Sequence, residues 1–266
     1  MALVNGMLIF DVMGAMAHFR KFYTNSSSLS YPFPPRTTLA GIIGAILGFE
    51  RDSYHELLGP KHARLAVSVR TPTRSFMQTV NPVLAKSQRD INGSAGHTQV
   101  PTELVVSSVV GQPLRYRIYF WHDDTAVMDE LEQRMRRCSP AYPPALGTAS
   151  MLASMQWVKR LQAEHIQLVG AQEVVTVVTP WPAEKLVWLS PPRRNRAGEL
   201  QIVQELMPYT FEKGRTNGKT LRYLFERQGR PVSVRLNIPV YTVHYVNPQE
   251  EHEIEETICF AEESDH

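Results

Sequence analysis

Seven residues, Gly214-Arg-Thr-Asn-Gly218-Lys219-Thr220, set two glycines, a lysine and a hydroxyl in the order of a phosphate-binding loop. A nucleotide-hydrolysing loop needs four residues between its glycines, so that successive N–H groups wrap the phosphate. Three stand here and no apolar helix follows, so the stretch reads as a basic turn whose Lys219 touches a backbone phosphate. The nine histidines are scattered without an HExxH spacing, and Cys138 and Cys259 form no CxxC pair, so neither a metal site nor a cofactor is expected. His122-Asp123-Asp124 has the residue types of a metal-hydrolase dyad, but it falls at the end of a strand, where an Asp caps the next helix. With no Gly-x-Ser-x-Gly elbow, covalent acyl transfer has no support either. What remains is metal-free acid–base cleavage of RNA. A Tyr or His would take the 2′-hydroxyl proton, and a Lys or His would neutralise the developing phosphorane. Tyr31, Lys86 and His97 are the candidates; the competing reading makes Tyr31 a packing residue beside Pro32 and the other two loop residues or RNA contacts.

Charge points to a polyanion more firmly than to a reaction. The net is only +2, but residues 61–117 hold eight Lys and Arg against Asp90 and Glu103, and residues 190–235 hold ten against four glutamates. From Asn247 to His266 there are eight acids and no Lys or Arg, so the two basic stretches are balanced by an acidic tail. Basic regions interleaved with Tyr and Phe fit a nucleic-acid surface.

The elements that must position these residues follow from periodicity. The composition, 43% hydrophobic with 19 Pro against 15 Gly, favours a globular chain rich in strands and turns. Leu3 to Val12 reads as a first core strand: it carries Asn5 and Asp11, has no basic leader and no cleavage site, and so is neither signal peptide nor membrane span. Two unpaired cysteines place the chain in the reducing cytoplasm. Leu39, Ile42, Ile43, Ile46 and Leu47 recur at helical spacing, capped by Thr37 or Thr38 and ended by Gly48. Leu65 to Val69 alternates as a second strand, and residues 71–102, rich in Pro, Asn, Ser and Gly, form an insertion or extended hairpin. Leu104 to Val110 and Leu114 to Trp121 are strand-like, the latter with Leu114, Tyr116, Ile118 and Phe120 on one face and Arg115, Arg117, Tyr119 and Trp121 on the other. A helix over 126–138 and a strand-rich stretch from Ile166 to Val178 complete a β-α-β-β-α-β order. The expected fold class is therefore α+β, a ferredoxin-like (RRM-type) body over residues 1–180 with an insert at about 71–102, followed by a β-rich extension over 181–266.

Phe19-Arg20-Lys21 and the run Ser30-Tyr31-Pro32-Phe33-Pro34-Pro35-Arg36-Thr37-Thr38-Leu39-Ala40-Gly41-Ile42-Ile43-Gly44-Ala45-Ile46-Leu47-Gly48 resemble the N-terminal signature of the CRISPR-associated Cas-five family. Thr71-Pro72-Thr73-Arg74, Arg115-Tyr116-Arg117-Ile118-Tyr119 and Tyr142-Pro143-Pro144-Ala145-Leu146-Gly147 extend the resemblance through the first two-thirds of the chain, which is most similar to the type I-B form. The resemblance implies an RRM-like body whose insert is a protruding thumb hairpin. It implies a non-catalytic subunit of the type I surveillance complex, Cascade, that grips the 5′ handle of the CRISPR RNA. Its partners would be the backbone subunits, whose filament it caps, and the large subunit that recognises the protospacer-adjacent motif, with target DNA nearby through the complex and no membrane. One branch, in type I-C systems, cuts the precursor RNA with a Tyr at the position of Tyr31 and a Lys-His pair near the thumb. Here the only adjacent pair is Lys61-His62, ahead of the second strand, and metal-independent cleavage is the alternative reading.

An RNA hook needs Arg and Lys for phosphates and a few aromatic or amide side chains for splayed bases. On that reading the contacts are Arg20, Lys21, Tyr31, Arg36, Thr38, Arg70, Arg74, Lys86, Arg89 and His97, with stacking from the insert or from Phe22 and Tyr23. The free N–H groups near Thr38 and Leu39 would receive a phosphate at the helix N-terminus. Arg193, Arg194, Arg196, Lys213, Arg215 and Lys219 would extend the groove or meet the large subunit.

Overall fold

A computed structural model describes residue 3 and residues 5–82, 85–96, 98–191, 199–212, 218–248 and 251–262. The body opens with β1 (Met7–Gly14), passes through the short strands β2 (Met16–Ala17), β3 (Phe19–Arg20) and β4 (Ser30–Tyr31), and enters helix α1 (Arg36–Leu47). β5 (Ala63–Val69) leads to a hairpin, β6 (Thr73–Val80) and β7 (Val100–Ser107), with the one-turn helix α2 (Gln88–Ile91) between its strands. β8 (Leu114–His122), α3 (Thr125–Arg136) and β9 (Ser154–Leu161) complete it. The sheet order is β5-β8-β1-β9, every neighbouring pair antiparallel, so the two β-α-β crossovers interleave. The chain is thus a mixed α+β protein. The hairpin β6–β7 stands apart from this sheet and pairs with β2.

α1 forms where the apolar spacing requires it. Its C-cap, Gly48, is left-handed at φ 83° and returns its N–H to Gly44, a conformation that costs a β-carbon-bearing residue energy. The N-terminus differs from expectation: Pro35 is the N-cap and no side chain caps the helix. At α3 the Asp of the His-Asp-Asp run does what its strand-end position predicts, Asp124 accepting from the Ala126 N–H at 2.8 Å.

The fourth strand of the body is β9, which lies between the 126–138 helix and Ile166, where the sequence reading places no element. The stretch expected to close that sheet supplies instead β10 (Ile166–Val169) and β11 (Val174–Val177), which belong to a second, six-stranded sheet. After β12 (Trp181–Pro182), β13 (Leu186–Leu189), β14 (Ile202–Pro208), β15 (Thr220–Glu226), β16 (Val232–Leu236), β17 (Val240–Val246) and β18 (Glu253–Ile258), the second sheet runs β10-β17-β18-β11-β16-β13. β12, β15 and β14 form a three-stranded sheet of their own. Among the described residues no helix is long and apolar enough to cross a membrane.

The body sheet is buried on both faces. Leu8, Phe10 and Val12 of β1, with Leu114, Tyr116, Ile118 and Phe120 of β8, pack against α1 and α3. Met7, Ile9, Tyr119 and Trp121 on the other face pack against Tyr241, Val243, Tyr245, Ile258 and Phe260 of the second sheet and its exit. The alternation read from β8 is therefore real, but its polar face is interior. Arg117 and its cross-strand partner Asp11 are both fully buried. Asp11 accepts from Arg117 Nε at 2.8 Å and Nη2 at 3.1 Å and from Arg115 Nε at 2.6 Å. Arg117 Nη1 donates to the Tyr245 hydroxyl at 2.8 Å, which donates to Glu256 at 3.1 Å; Tyr119 and Arg70 close on the same carboxylate. This polar chain stitches β1, β8 and Arg70, the residue after β5, to β17 and β18.

Removing one partner of a buried ion pair strands the other charge out of water. Asp11→Asn should therefore destabilise the protein by about 3–5 kcal/mol, whereas Asp11→Leu combined with Arg117→Met should recover much of the loss. Urea unfolding of the three chains checks both expectations.

Candidate nucleic-acid interface

Three segments far apart in sequence meet beside Tyr31. The turn between β3 and β4 brings Lys21, Phe22 and Tyr23; the foot of the β6–β7 hairpin brings Arg74, Ser75 and Glu103; and the β14–β15 hairpin brings Glu205 and Arg227. Between them lies an open cavity of about 220 Å³, lined by Lys21, Ser30, Arg74, Glu103, Glu205 and Arg227 among others.

Local bonding explains the meeting. The β3–β4 turn is tied to β7 by Ser28 N–H to Pro101 O and Glu103 N–H to Ser28 O, each 2.8 Å, and by the His18 ring, which bridges Glu103 O and the Ser28 hydroxyl. Glu103 accepts from the Ser30 N–H at 2.9 Å and the Ser75 hydroxyl at 2.7 Å. The β14–β15 hairpin lies over β4 through an edge-to-face contact of Phe33 on Phe225, centroids 4.9 Å apart, and through the Tyr31 hydroxyl, which donates to Leu206 O at 2.9 Å. Glu205 then reaches the turn, accepting from Tyr23 at 2.6 Å and pairing with Lys21.

Two cations in this cavity, Arg74 and Arg227, are exposed and have no acidic partner among the described residues. Arg20 is exposed at the edge of the same turn, its guanidinium 3.4 Å from Thr24 O. Phe22 and Tyr23 stand exposed as an edge-to-face pair with centroids 5.3 Å apart. Burial, reinforced by Glu205, pushes the Tyr23 hydroxyl well above the usual phenol range; burial does the same to Tyr31, with Tyr23 and Glu205 adding to it. Tyr31 is completely covered. A covered phenol that already donates to a carbonyl is a poor proton acceptor at neutral pH.

The other residues singled out from sequence lie elsewhere. Arg36 is buried beneath the residues that follow β18, bonded to Glu262 at 2.5 Å and to Leu58 O and Ala63 O at 3.0 Å, so it is a core cation and not a surface one. Burial pushes the Glu262 carboxyl up against the opposing pull of Arg36. Thr38 sits in a first helical turn whose neighbours Pro34, Pro35, Arg36 and Thr37 are buried, which closes the expected phosphate site at the helix N-terminus. Arg70 is paired with Glu256 inside the inter-sheet network. Lys86 and Arg89 are exposed beyond the far ends of β6 and β7. Lys219 lies over the Tyr209 ring, 5.5 Å from its centroid. His97, Arg193, Arg194, Arg196, Lys213 and Arg215 fall outside the described residues. No three His, Cys, Asp or Glu side chains cluster as a metal site among the described residues.

The family model described as CRISPR-associated protein (Cas_Cas5) matches residues 7–222. The chain belongs to the Cas5 family. Among solved structures, a CRISPR protein from Archaeoglobus fulgidus is 13% identical, with 88% of this chain and 95% of that one covered at a TM-score of 0.54, a likeness of fold. A chain of a CRISPR RNA-guided surveillance complex is 15% identical over 86% of this chain and 91% of its own, at a TM-score of 0.42. No curated protein matches. The matched span of this Cas5 chain includes the β3–β4 turn, the β6–β7 hairpin and β14, and stops within β15, short of Arg227.

Arg227 is the cavity residue that the sequence does not single out. Along the chain it is one of ten cations in a basic stretch, and only the turn after β15 aims it. That turn is organised by Glu226, buried, which accepts from the N–H groups of Gln201, Gln228 and Arg230 and from the Arg230 guanidinium at 2.6 Å. Gly229 at φ 76° lets the turn pass within contact of Val69 O. Burial raises the Glu226 carboxyl, but the Arg230 and backbone bonds outweigh it and hold it below the ordinary 4.5. A depressed carboxylate contributes stability that is present above the unfolded value and lost as pH falls through the folded one. Glu226→Gln should therefore unfold at lower urea than the parent near pH 7, with the gap narrowing by about pH 3.

Proposed function

We propose that this Cas5 protein is a non-catalytic subunit of a type I CRISPR effector complex, of the I-B kind, and holds the 5′ handle of the guide RNA in the groove at the foot of the β6–β7 hairpin. The observation that carries the reading is the convergence of Lys21, Arg74 and Arg227 from three separate segments, two of them cations without an acidic partner among the described residues, beside the exposed Phe22–Tyr23 pair. Phosphates take the guanidinium groups and a splayed base takes the aromatic pair. Lys21 is held by Glu205, so an incoming phosphate competes for it with a carboxylate already in place.

Family membership supports the wider setting. The β6–β7 hairpin serves as the thumb, the backbone subunits and the large subunit that recognises the protospacer-adjacent motif are the protein partners, and target DNA lies nearby through the complex in the cytoplasm. Recognition of the target is left to guide pairing. The covered Tyr31 hydroxyl and the separation of Lys86 from it support a binding role over cleavage, and such a role calls for no cofactor.

The test uses the purified chain and end-labelled repeat RNA in EDTA, scored for retention and length across a salt series. Each phosphate contact in a single strand contributes about 0.7 to the log–log salt slope. Arg74→Ala with Arg227→Ala should weaken binding and flatten the slope by about 1.4, with the RNA uncut throughout. An unchanged slope overturns the groove; a discrete cut that disappears in Tyr31→Phe overturns the non-catalytic role.

A further inference from the structure

One side of the six-stranded sheet is covered by the body where β17 and β18 meet it, and beyond that cover β11, β16 and β13 take no part in the groove. The other side of these three strands is a core of its own, built from Val177, Val232, Val234, Leu236 and their neighbours. On the opposite side the register sets Trp188 of β13, Arg235 of β16 and Val174 of β11 in one row, because directly opposed residues share a face. Trp188 is 40% exposed and Val174 55%. Arg235 lies between them with its Nε out of water and unbonded, and its guanidinium has no hydrogen bond or ion pair among the described residues. One row along, the Thr176 and Ser233 hydroxyls meet at 2.9 Å; one row the other way, the Gln172 amide donates to Asn237 at 3.3 Å. Within β13, β16 and β11 none of these three rows contains a carboxylate, and Glu256 of the adjoining β18 is already bonded to Arg70, Tyr119 and Tyr245.

We infer that this face is a second nucleic-acid surface, on which a single strand lies across β13, β16 and β11 with a base stacked on Trp188 and a phosphate on Arg235. An arginine whose charge is unmatched among the described residues, with a nitrogen already dehydrated, is complementary to an anion that brings its own acceptor oxygens. The hydroxyls and amides on either side suit sugar and base edges. A flat sheet presenting one aromatic ring among hydroxyls and an arginine admits an extended strand of any sequence, since every base has a face to stack. A protein partner would meet three exposed apolar side chains here, Trp188, its neighbour Val187 and Val174, too few for the buried apolar centre of an interface.

The surface is tested in the full chain carrying Arg74→Ala and Arg227→Ala, so that the handle groove does not contribute. A fluorescein-labelled oligouridine of about 15 nucleotides, long enough to span several stacking sites, is titrated by anisotropy over a salt series. Trp188→Ala should weaken binding about tenfold while Trp188→Phe keeps most of it. Arg235→Gln should flatten the log–log salt slope by about 0.7. A bromouridine form of the strand should photocrosslink to the peptide bearing Trp188. No binding in the groove-deficient chain, equal affinity in Trp188→Ala, or crosslinks confined to other peptides would overturn the inference, the last two being what a protein-docking face gives. Loss of handle binding on Arg74→Ala and Arg227→Ala with oligouridine binding kept would separate the two surfaces.

Discussion

Burial of the Asp11–Arg117 pair is the constraint from which the arrangement of this protein follows. A strand that carries Arg115, Arg117 and Tyr119 on one side would turn that side to water in an ordinary two-layer α+β body. Here the second sheet covers that side, and two full charges are taken out of water. Such a burial is tolerable only when the geometry is good and the remaining donors are satisfied. Both conditions hold: Asp11 receives both Arg117 and Arg115, and each nitrogen of the Arg117 guanidinium has a partner, Nη1 on Tyr245 and the other two on Asp11. Because Tyr245 and Glu256 belong to β17 and β18, the pair is satisfied only when the second sheet is docked.

Docking of that sheet has a consequence at α1, and the three-stranded sheet has one at the groove. The chain leaves β18 through Cys259, Phe260, Ala261 and Glu262, and Glu262 closes on Arg36 at the start of α1. An arginine in the most recognisable segment of the sequence thereby becomes an internal fastener, with Leu58 O and Ala63 O completing its partners. The β14–β15 hairpin, packed on Phe33 through Phe225, covers Tyr31. The groove that remains open is the one these closures leave: Lys21 on one wall, with the Phe22–Tyr23 pair next to it in the same turn, Arg74 on another, Arg227 on the third.

Features set by contacts between near neighbours are legible in the amino-acid sequence. The helix with its Gly48 cap, the two faces of β8, the hairpin inserted after β5 and the Asp124 cap all rest on periods of 3.6 or 2 and on turn chemistry, which act over a few residues. The family resemblance is legible for the same reason, since it runs through short motifs. The fourth strand of the body is not, and the reason is physical: Ser154–Leu161 mixes Gln, Lys and Arg with Trp and Val and has no clean alternation, whereas the β-branched run of Ile166–Val178 has the stronger strand propensity but belongs to the other sheet. Propensity says that a segment is a strand and not which edge it joins.

The order of residues suffices to specify an α+β protein of the Cas5 kind with basic stretches and an arginine, Arg74, at the root of its inserted hairpin. Which arginines stay on the surface is settled by folding alone. Arg36, Arg70 and Arg117 look in the chain like Arg74 and Arg227, yet the first three meet Glu262, Glu256 and Asp11 and the last two meet no acid among the described residues. A charge is free or spent according to what lies opposite it after folding, and the acids that neutralise Arg36 and Arg70 sit in the C-terminal stretch, far away along the chain. Pairing at such separations leaves no local period to read, because it is set by the docking of one sheet on another.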